Sequence, residues 1–219
     1  MDIKVIGLGF QKTGTSSLRE ALKILGFKVK DTSQRALFPI LRGNDKKIKR
    51  ILEGFNAFED TPWYIIYEKL DNWYPNSKFI LTIREEKDWF KSVNRHIGDL
   101  KNPMHEWIYG KGKGLPKNNE KNTIEVYNNH NTKVMEYFKD RPNDLLIIDF
   151  SKNQGWKEIC NFLNKSIPDE KFPHANKTKE TKKTLIQKKI RSFKLYRKKI
   201  KYILKIKYID LFIGWNNPY

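Results

Sequence analysis

The stretch "GLGFQKTGTSSL", residues 7–18, decides the fold. It follows "DIKVI", a short apolar run of buried-strand type. It leads into "TSSLREALKILG", where Leu18, Ala21, Leu22 and Leu25 recur at helical spacing and Gly26 stops the helix. A strand, a glycine turn and a helix N-terminus together present unpaired N–H groups to an anion. Gly14 lets the backbone approach closely, Thr15, Ser16 and Ser17 add hydroxyls, and Lys12 adds a point charge. A loop for nucleoside triphosphates carries its lysine directly after the second glycine, followed by Ser or Thr on magnesium. Here Lys12 precedes Gly14 and Thr15 follows it, so the loop reads as an anion site of another kind.

Working outward, "NAFED" and "DLLIIDF" read as strands and "SKFILTIRE" as the clearest strand of the chain. "EKDWFKSVNRHI", "EKNTIEVYNNHNTKVMEYFKDR" and "GWKEICNFLN" read as helices. Thr61 as N-cap and Pro62 at the first helical position start a helix over "TPWYIIYEKLDNWYP". The region from Gly98 to Pro116, with "GKGKGLP", reads as a loop or a mobile lid. Continuous apolar strands alternating with helices predict a parallel sheet covered on both faces, a three-layer α/β/α fold. Ligand sites then fall at the carboxyl ends of the strands. Candidate chemistry stands there three times: after Phe10, at Glu59–Asp60 and at Arg84.

Arg84 suits bidentate phosphate binding, and Ser92, eight residues on, adds a neutral donor from the following helix. In isolation Arg84 reads first as a structural ion-pair residue and Ser92 as an exposed helix serine. The single cysteine, Cys160, excludes an intramolecular disulfide framework and a thiolate zinc cluster, and its amphipathic setting marks it as a core thiol. The histidine spacing suggests no metal site.

Taken together these motifs resemble the sulfotransferases that use 3′-phosphoadenosine 5′-phosphosulfate (PAPS). "FQKTGTSSL" is similar to their 5′-phosphosulfate loop and "ILTIREEKDWFKSV" to their 3′-phosphate motif. "AFEDTPWYIIYEKLDNWYPNSKFILTIRE" is similar to the Asp-x-Pro segment of a bacterial and eukaryotic subfamily, and "HNTKVMEYF" and "GWKEICNFLNKSIPDEKFPHANK" to its later elements. The resemblance runs from about Ile3 to Lys177 and implies a sulfotransferase domain over residues 1–177, with the P-loop-like fold of that family. It implies PAPS, or its product adenosine 3′,5′-bisphosphate, held by Lys12, Thr13, Gly14, Thr15, Ser16, Ser17, Arg84 and Ser92, with Lys177 and Lys179 as weaker additions. No metal is implied, which accounts for the displaced lysine: Lys12 would neutralise charge on the phosphate–sulfate bridge.

The resemblance also implies a base at the end of the second core strand, taking the proton of an acceptor hydroxyl. Asp60 is the first candidate and Glu59 the second, with Lys12 as the third catalytic residue. Asp60 reads equally as a cap beside Thr61–Pro62, worth about 1 kcal/mol. His130 recurs in the resembled helix, but a lone helix histidine reads first as a packed residue. Carbohydrate or a small molecule is the implied acceptor. A small-metabolite kinase and a non-catalytic anion or RNA binder are the alternatives; the first lacks a second magnesium carboxylate, the second an aromatic base-recognition motif.

The formal net charge is +19. Between Asn176 and Ile209 the chain carries 14 Lys and Arg against one acid, Glu180. Ile186, Ile190, Phe193, Tyr196, Ile200 and Ile203 keep helical spacing there, so residues 178–219 read as a basic C-terminal helical extension. Such a helix is either solvated, packed, or in peripheral contact with an anionic membrane. Nucleic acid is not expected as a partner. With no signal-peptide pattern and no apolar run near the roughly 20 residues of a membrane span, the expected location is the cytoplasm.

Overall fold

The computed structural model describes residues 3–97, 101–174 and 185–219. Five strands form one parallel sheet in the order β2-β3-β1-β4-β5: β1 Val5–Gly7, β2 Val29–Lys30, β3 Ala57–Phe58, β4 Lys78–Thr82 and β5 Leu145–Ile148. β1 lies between β3 (Val5 opposite Ala57) and β4 (Val5 opposite Lys78). The side-chain period of two sorts the strands onto two cores. Val5, Ala57, Ile80 and Ile148 meet α1 (Thr15–Ile24) and α8 (Trp156–Leu163) on one face. Ile6, Phe58, Phe79 and Leu81 face the larger core on the other.

That larger core is covered by α2 (Leu37–Leu41), α3 (Asp45–Leu52), α4 (Tyr67–Trp73), α5 (Glu86–Ile97), α6 (Pro103–Tyr109) and α7 (Glu120–Tyr137). Helices on both faces of a parallel sheet give the expected three-layer architecture. Cys160 is a buried thiol in the smaller core.

Two local expectations change. Thr61–Pro62 is a cis peptide and starts no α-helix; a 3-10 turn over Trp63–Ile65 precedes α4. Trp63 and Tyr64 are neighbours in sequence and both fully buried. A regular helix would separate them by about 100° around its axis. Each instead has its own anchor: Trp63 Nε1 donates to the Asp31 carbonyl (2.9 Å) and Tyr64 Oη to Gln11 Oε1 (2.7 Å).

Within the supposed lid, α6 is a packed helix. Asn102 caps it by accepting from the Met104 amide (3.0 Å), Pro103 holds the first position, and Met104, Trp107 and Ile108 are buried. Between α1 and β3 the chain adds β2, α2 and α3; Ile48, Ile51 and Leu52 place the apolar face of α3 on one side, and Asn44 caps it by accepting from the Lys47 amide.

The last helix, α9, spans Leu185–Phe212. Ile209 joins the larger core, and Gly214, at φ +82°, turns the chain back so that its amide caps Ile209 (2.8 Å). The returning segment is pinned where Trp107 Nε1 donates to the Asn216 carbonyl.

Candidate functional site

The loop after β1 is built on a buried ring. Phe10 is fully buried and packs against Tyr64, Trp89, Tyr109, Tyr127 and His130. Gln11 is held at both ends. Its side chain accepts from Tyr64 and donates to Tyr109 Oη, while its carbonyl accepts from Trp89 Nε1 (2.9 Å). The next residue, Lys12, adopts φ +74°, a conformation unfavourable for a side chain with a Cβ. The fixed Gln11 on one side and Gly14 (φ +114°) on the other compel it.

Space as well as backbone angle demands the glycines. A Cβ on Gly14 would lie 2.4 Å from the Phe150 ring, and one on Gly9 would lie 1.8 Å from Thr82 Oγ1. The Thr13 hydroxyl turns inward, donating to the Phe10 carbonyl (2.7 Å) and sharing a 2.6 Å bond with Thr82. Its side chain therefore ties the loop to β4.

Lys12, Thr13, Gly14, Ser17, Arg84 and Ser92 meet in one cleft of about 640 Å³ with Asp88, Lys91, Arg95 and His96 of α5. Asp149, Phe150, Ser151 and His174 form its other wall. Arg84 is positioned through its main chain: Tyr127 Oη accepts from the Arg84 amide (3.0 Å) and donates to its carbonyl (2.8 Å). Tyr127 is itself stacked on Trp89 at 4.0 Å. Asp149 is occupied locally, accepting from the Ser151 amide (2.9 Å) and hydroxyl (2.6 Å). The cleft is thus lined by more cations than acids, in reach of the first turn of α1, which suits an anion carrying several charges.

Lys12 feels the charges of two other sequence candidates, Asp60 and Arg84. Burial is the main force lowering its pKa; Asp60 pulls it back up and Arg84 pushes it further down. Asp60, at φ +69°, accepts from the Thr61 amide (2.6 Å) and hydroxyl (3.1 Å) through Oδ1. Its Oδ2 faces the Thr15 hydroxyl at 3.4 Å. The Thr15 side chain therefore points to Asp60.

Glu59 differs sharply from its neighbour. It is 1% exposed, its Oε2 has no hydrogen-bond partner among the described residues, and burial, reinforced by Asp60, pushes its pKa well up. It packs beside β1, where a Cβ on Gly7 would meet its Cγ at 3.0 Å. Ser16 is a first-turn residue of α1 outside the cleft lining, and Lys177 and Lys179 lie outside the described residues.

Several participants escape a motif reading. Gln11, Tyr64, Tyr109 and Tyr127 act through side-chain hydrogen bonds that span between 43 and 98 residues of sequence. Arg95 and His96 do carry a signal: they follow Ser92 by three and four residues, on one face of α5.

The chain's similarity to known proteins agrees with this geometry. A family model described as "Sulfotransferase domain" matches residues 4–181. "Ava biosynthesis cluster protein M" of Aspergillus versicolor is 28% identical over 213 residues, with 78% of this chain and 80% of that protein covered. A crystal structure of a sulfotransferase from Alicyclobacillus acidocaldarius superposes with a TM-score of 0.52 at 14% identity, covering 94% of this chain and 96% of that one. The last likeness speaks for the fold.

Proposed function

Because the chain belongs to the sulfotransferase domain family, we propose that it moves a sulfuryl group from PAPS to a hydroxyl acceptor. The carrying observation is Lys12, held in a left-handed turn with Asp60 on one side and Arg84 and the cationic cleft on the other. A site for in-line transfer needs charge stabilisation at the leaving oxygen and a base near the entering one. Lys12 in the loop after β1 serves the first need, and Asp60, just past the end of β3, serves the second.

The donor supplies an activated sulfur–oxygen bond. The acceptor oxygen attacks sulfur, the bond from sulfur to the bridging phosphate oxygen breaks, and adenosine 3′,5′-bisphosphate leaves. Lys12, with the first-turn amides of α1, stabilises the negative charge on the departing 5′-phosphate oxygen. Arg84 and Ser92, with Arg95 nearby, suit the 3′-phosphate, and Tyr127 keeps Arg84 in register through its main chain. Gly14 and Ser17 border the same cleft; Thr13 supports the loop from behind and Thr15 orients Asp60. Asp60 receives the acceptor proton. Glu59 is the second choice: burial, reinforced by Asp60, pushes its carboxyl well up, toward the protonated form that cannot act as a base. Lys12 does the electrostatic work, and the scheme includes no metal.

Carbohydrate and small-molecule hydroxyls are the acceptor classes carried forward. The relative named for a biosynthesis cluster supports the small-molecule side. We assign residues 1–177 to the sulfotransferase domain and 178–219 to an appended basic helix, a division supported by the family match ending at residue 181. Among the described residues no helix is long and apolar enough to cross a membrane. A cytoplasmic location is part of the same reading, and the lone buried thiol Cys160 suits a reducing compartment.

Calorimetry with adenosine 3′,5′-bisphosphate tests the reading directly. The intact protein is expected to bind it without magnesium, and Lys12→Ala and Arg84→Ala to weaken binding by about tenfold or more, as loss of a charged hydrogen bond requires. Absence of binding to the intact protein, or binding of ATP in its place with magnesium, would overturn it. A labelled-sulfate transfer screen over glycans, lipids and phenols then identifies the acceptor.

A further inference from the structure

Helix α9 meets the domain with one face only. Tyr202, Ile206 and Ile209 are 7%, 8% and 0% exposed. The opposite face is not polar, as a solvated helix would have it. Phe193, Ile200, Leu204 and Leu211 are 63%, 42%, 62% and 75% exposed. At 3.6 residues per turn these four fall within about 40° of one another, roughly opposite the docked side. The outward stripe of this helix is therefore apolar.

Cations flank the stripe. Arg197, Lys201 and Lys205 form a row one turn apart, and with Phe38 of α2 they border a groove of about 540 Å³ floored by Ile200, Leu204 and Tyr208. Arg42 adds a fourth charge by donating to Tyr208 Oη (2.8 Å). The row is not neutralised from within. Residues 185–212 contain ten Lys and Arg and a single acid, Asp210, which is paired with Lys111 at 2.8 Å. Because α2 follows the carboxyl end of β2, the groove lies toward the same end of the sheet as the phosphate loop.

An apolar stripe beside a row of cations matches one partner chemistry. Aliphatic and aromatic side chains sink below the headgroups of a bilayer while lysines and arginines stay at the level of the lipid phosphates. A second copy of the chain would bring two uncompensated cationic rows together, which opposes self-association. A nucleic acid would use the cations but leave Leu204 and Leu211, which offer no stacking surface, in water.

We propose that the outward face of α9, with the groove it forms against Phe38, docks the protein on an anionic bilayer. The stripe and its cationic row belong to α9, outside the 4–181 family match, while Phe38 of α2 and Arg42 just past it lie within that match; the inference stands apart from sulfuryl transfer. Docking brings the carboxyl end of the sheet toward a lipid surface.

Flotation of the full chain with phosphatidylcholine vesicles, with and without phosphatidylserine, tests it. Binding to the anionic vesicles alone, weakened by salt and not competed by free glycerophosphoserine, is expected. Arg197→Glu/Lys201→Glu/Lys205→Glu and Leu204→Ser/Leu211→Ser should each cut partitioning about tenfold or more, with an unchanged melting temperature. No flotation at low salt overturns the proposal. So does a leucine variant that floats like the wild type, a dimer that hides this face and binds no lipid, or capture of RNA without flotation.

Discussion

Tyr219 Oη donates to Nδ1 of His130 at 2.8 Å, because His130 Nε2 is already committed to donating to the Leu8 carbonyl at 2.7 Å. The second bond sets the tautomer and the first reads it. The Tyr219 ring also stands 6.1 Å from Phe10, so the returning C-terminal segment closes the core directly behind the loop after β1. Tyr219→Phe keeps the ring and orphans one buried nitrogen. It should destabilise by about 1 kcal/mol, a fall in Tm of about 2–4 °C for a chain of this size, read by scanning calorimetry.

Burial depresses His130 and His105 to a pKa of about 4, against an ordinary 6.5. Each is neutral when folded and takes up a proton only on unfolding. Their contribution is therefore present above 6.5 and lost as pH falls from 6.5 toward 4. His130→Gln should flatten this acid limb by one proton, about 1.4 kcal/mol per pH unit, in denaturant melts across the range.

Glu59 acts in the opposite sense. Its folded pKa is raised above the ordinary 4.5, so its contribution is present below 4.5 and lost as pH rises through the folded value. Glu59→Gln removes that ionisation. A higher denaturation midpoint at pH about 8, with little change at pH about 4, is expected; equal effects at both would mean that Glu59 is not held protonated.

Gly14→Ala meets two separate obstacles, φ +114° and a 2.4 Å approach to Phe150. Stability should fall by about 1–3 kcal/mol and bisphosphate binding with it. Adding Phe150→Ala should recover the part due to collision and leave the part due to the backbone. Thermal melts of the single and double variants separate the two.

Asp60→Asn preserves shape and removes the base. The turnover number for sulfuryl transfer should drop by about 10²–10⁴ while affinity for adenosine 3′,5′-bisphosphate stays within a few-fold. Equal loss of both would make Asp60 a support for the loop.

The layered fold is legible because its signals are local. "VIG" after "DIK", "KFILT" and "LLII" are apolar runs too short for helices, and the amphipathic stripes between them are strong. β2 spans only Val29–Lys30, both half-buried, and its pairing with β3 comes from the tertiary ladder. Helix α6 was open to recognition from Asn102–Pro103 and the Met104, Trp107, Ile108 spacing, but the glycines that follow it dominate the reading of that region. Thr61–Pro62 misleads for a related reason: capping chemistry is short-range, and the burial of both Trp63 and Tyr64 overrides it.

By itself the sequence determined the glycine turn after the first strand, the place of Lys12 before Gly14, Arg84 just past the clearest strand with Ser92 on the following helix, and the concentration of charge toward the C-terminal end, since each is written in residue type and spacing. Tertiary structure alone decided how Asp60 and Glu59, adjacent in the chain, differ: one is half-exposed beside Lys12, the other sealed in the core with its carboxyl pushed up. It alone turned the Thr13 hydroxyl away from the cleft and brought Tyr127, Tyr109 and Tyr219 to the loop across long stretches of chain. The physical reason is that desolvation and hydrogen-bond geometry depend on what surrounds a group in space, which spacing along a chain does not specify.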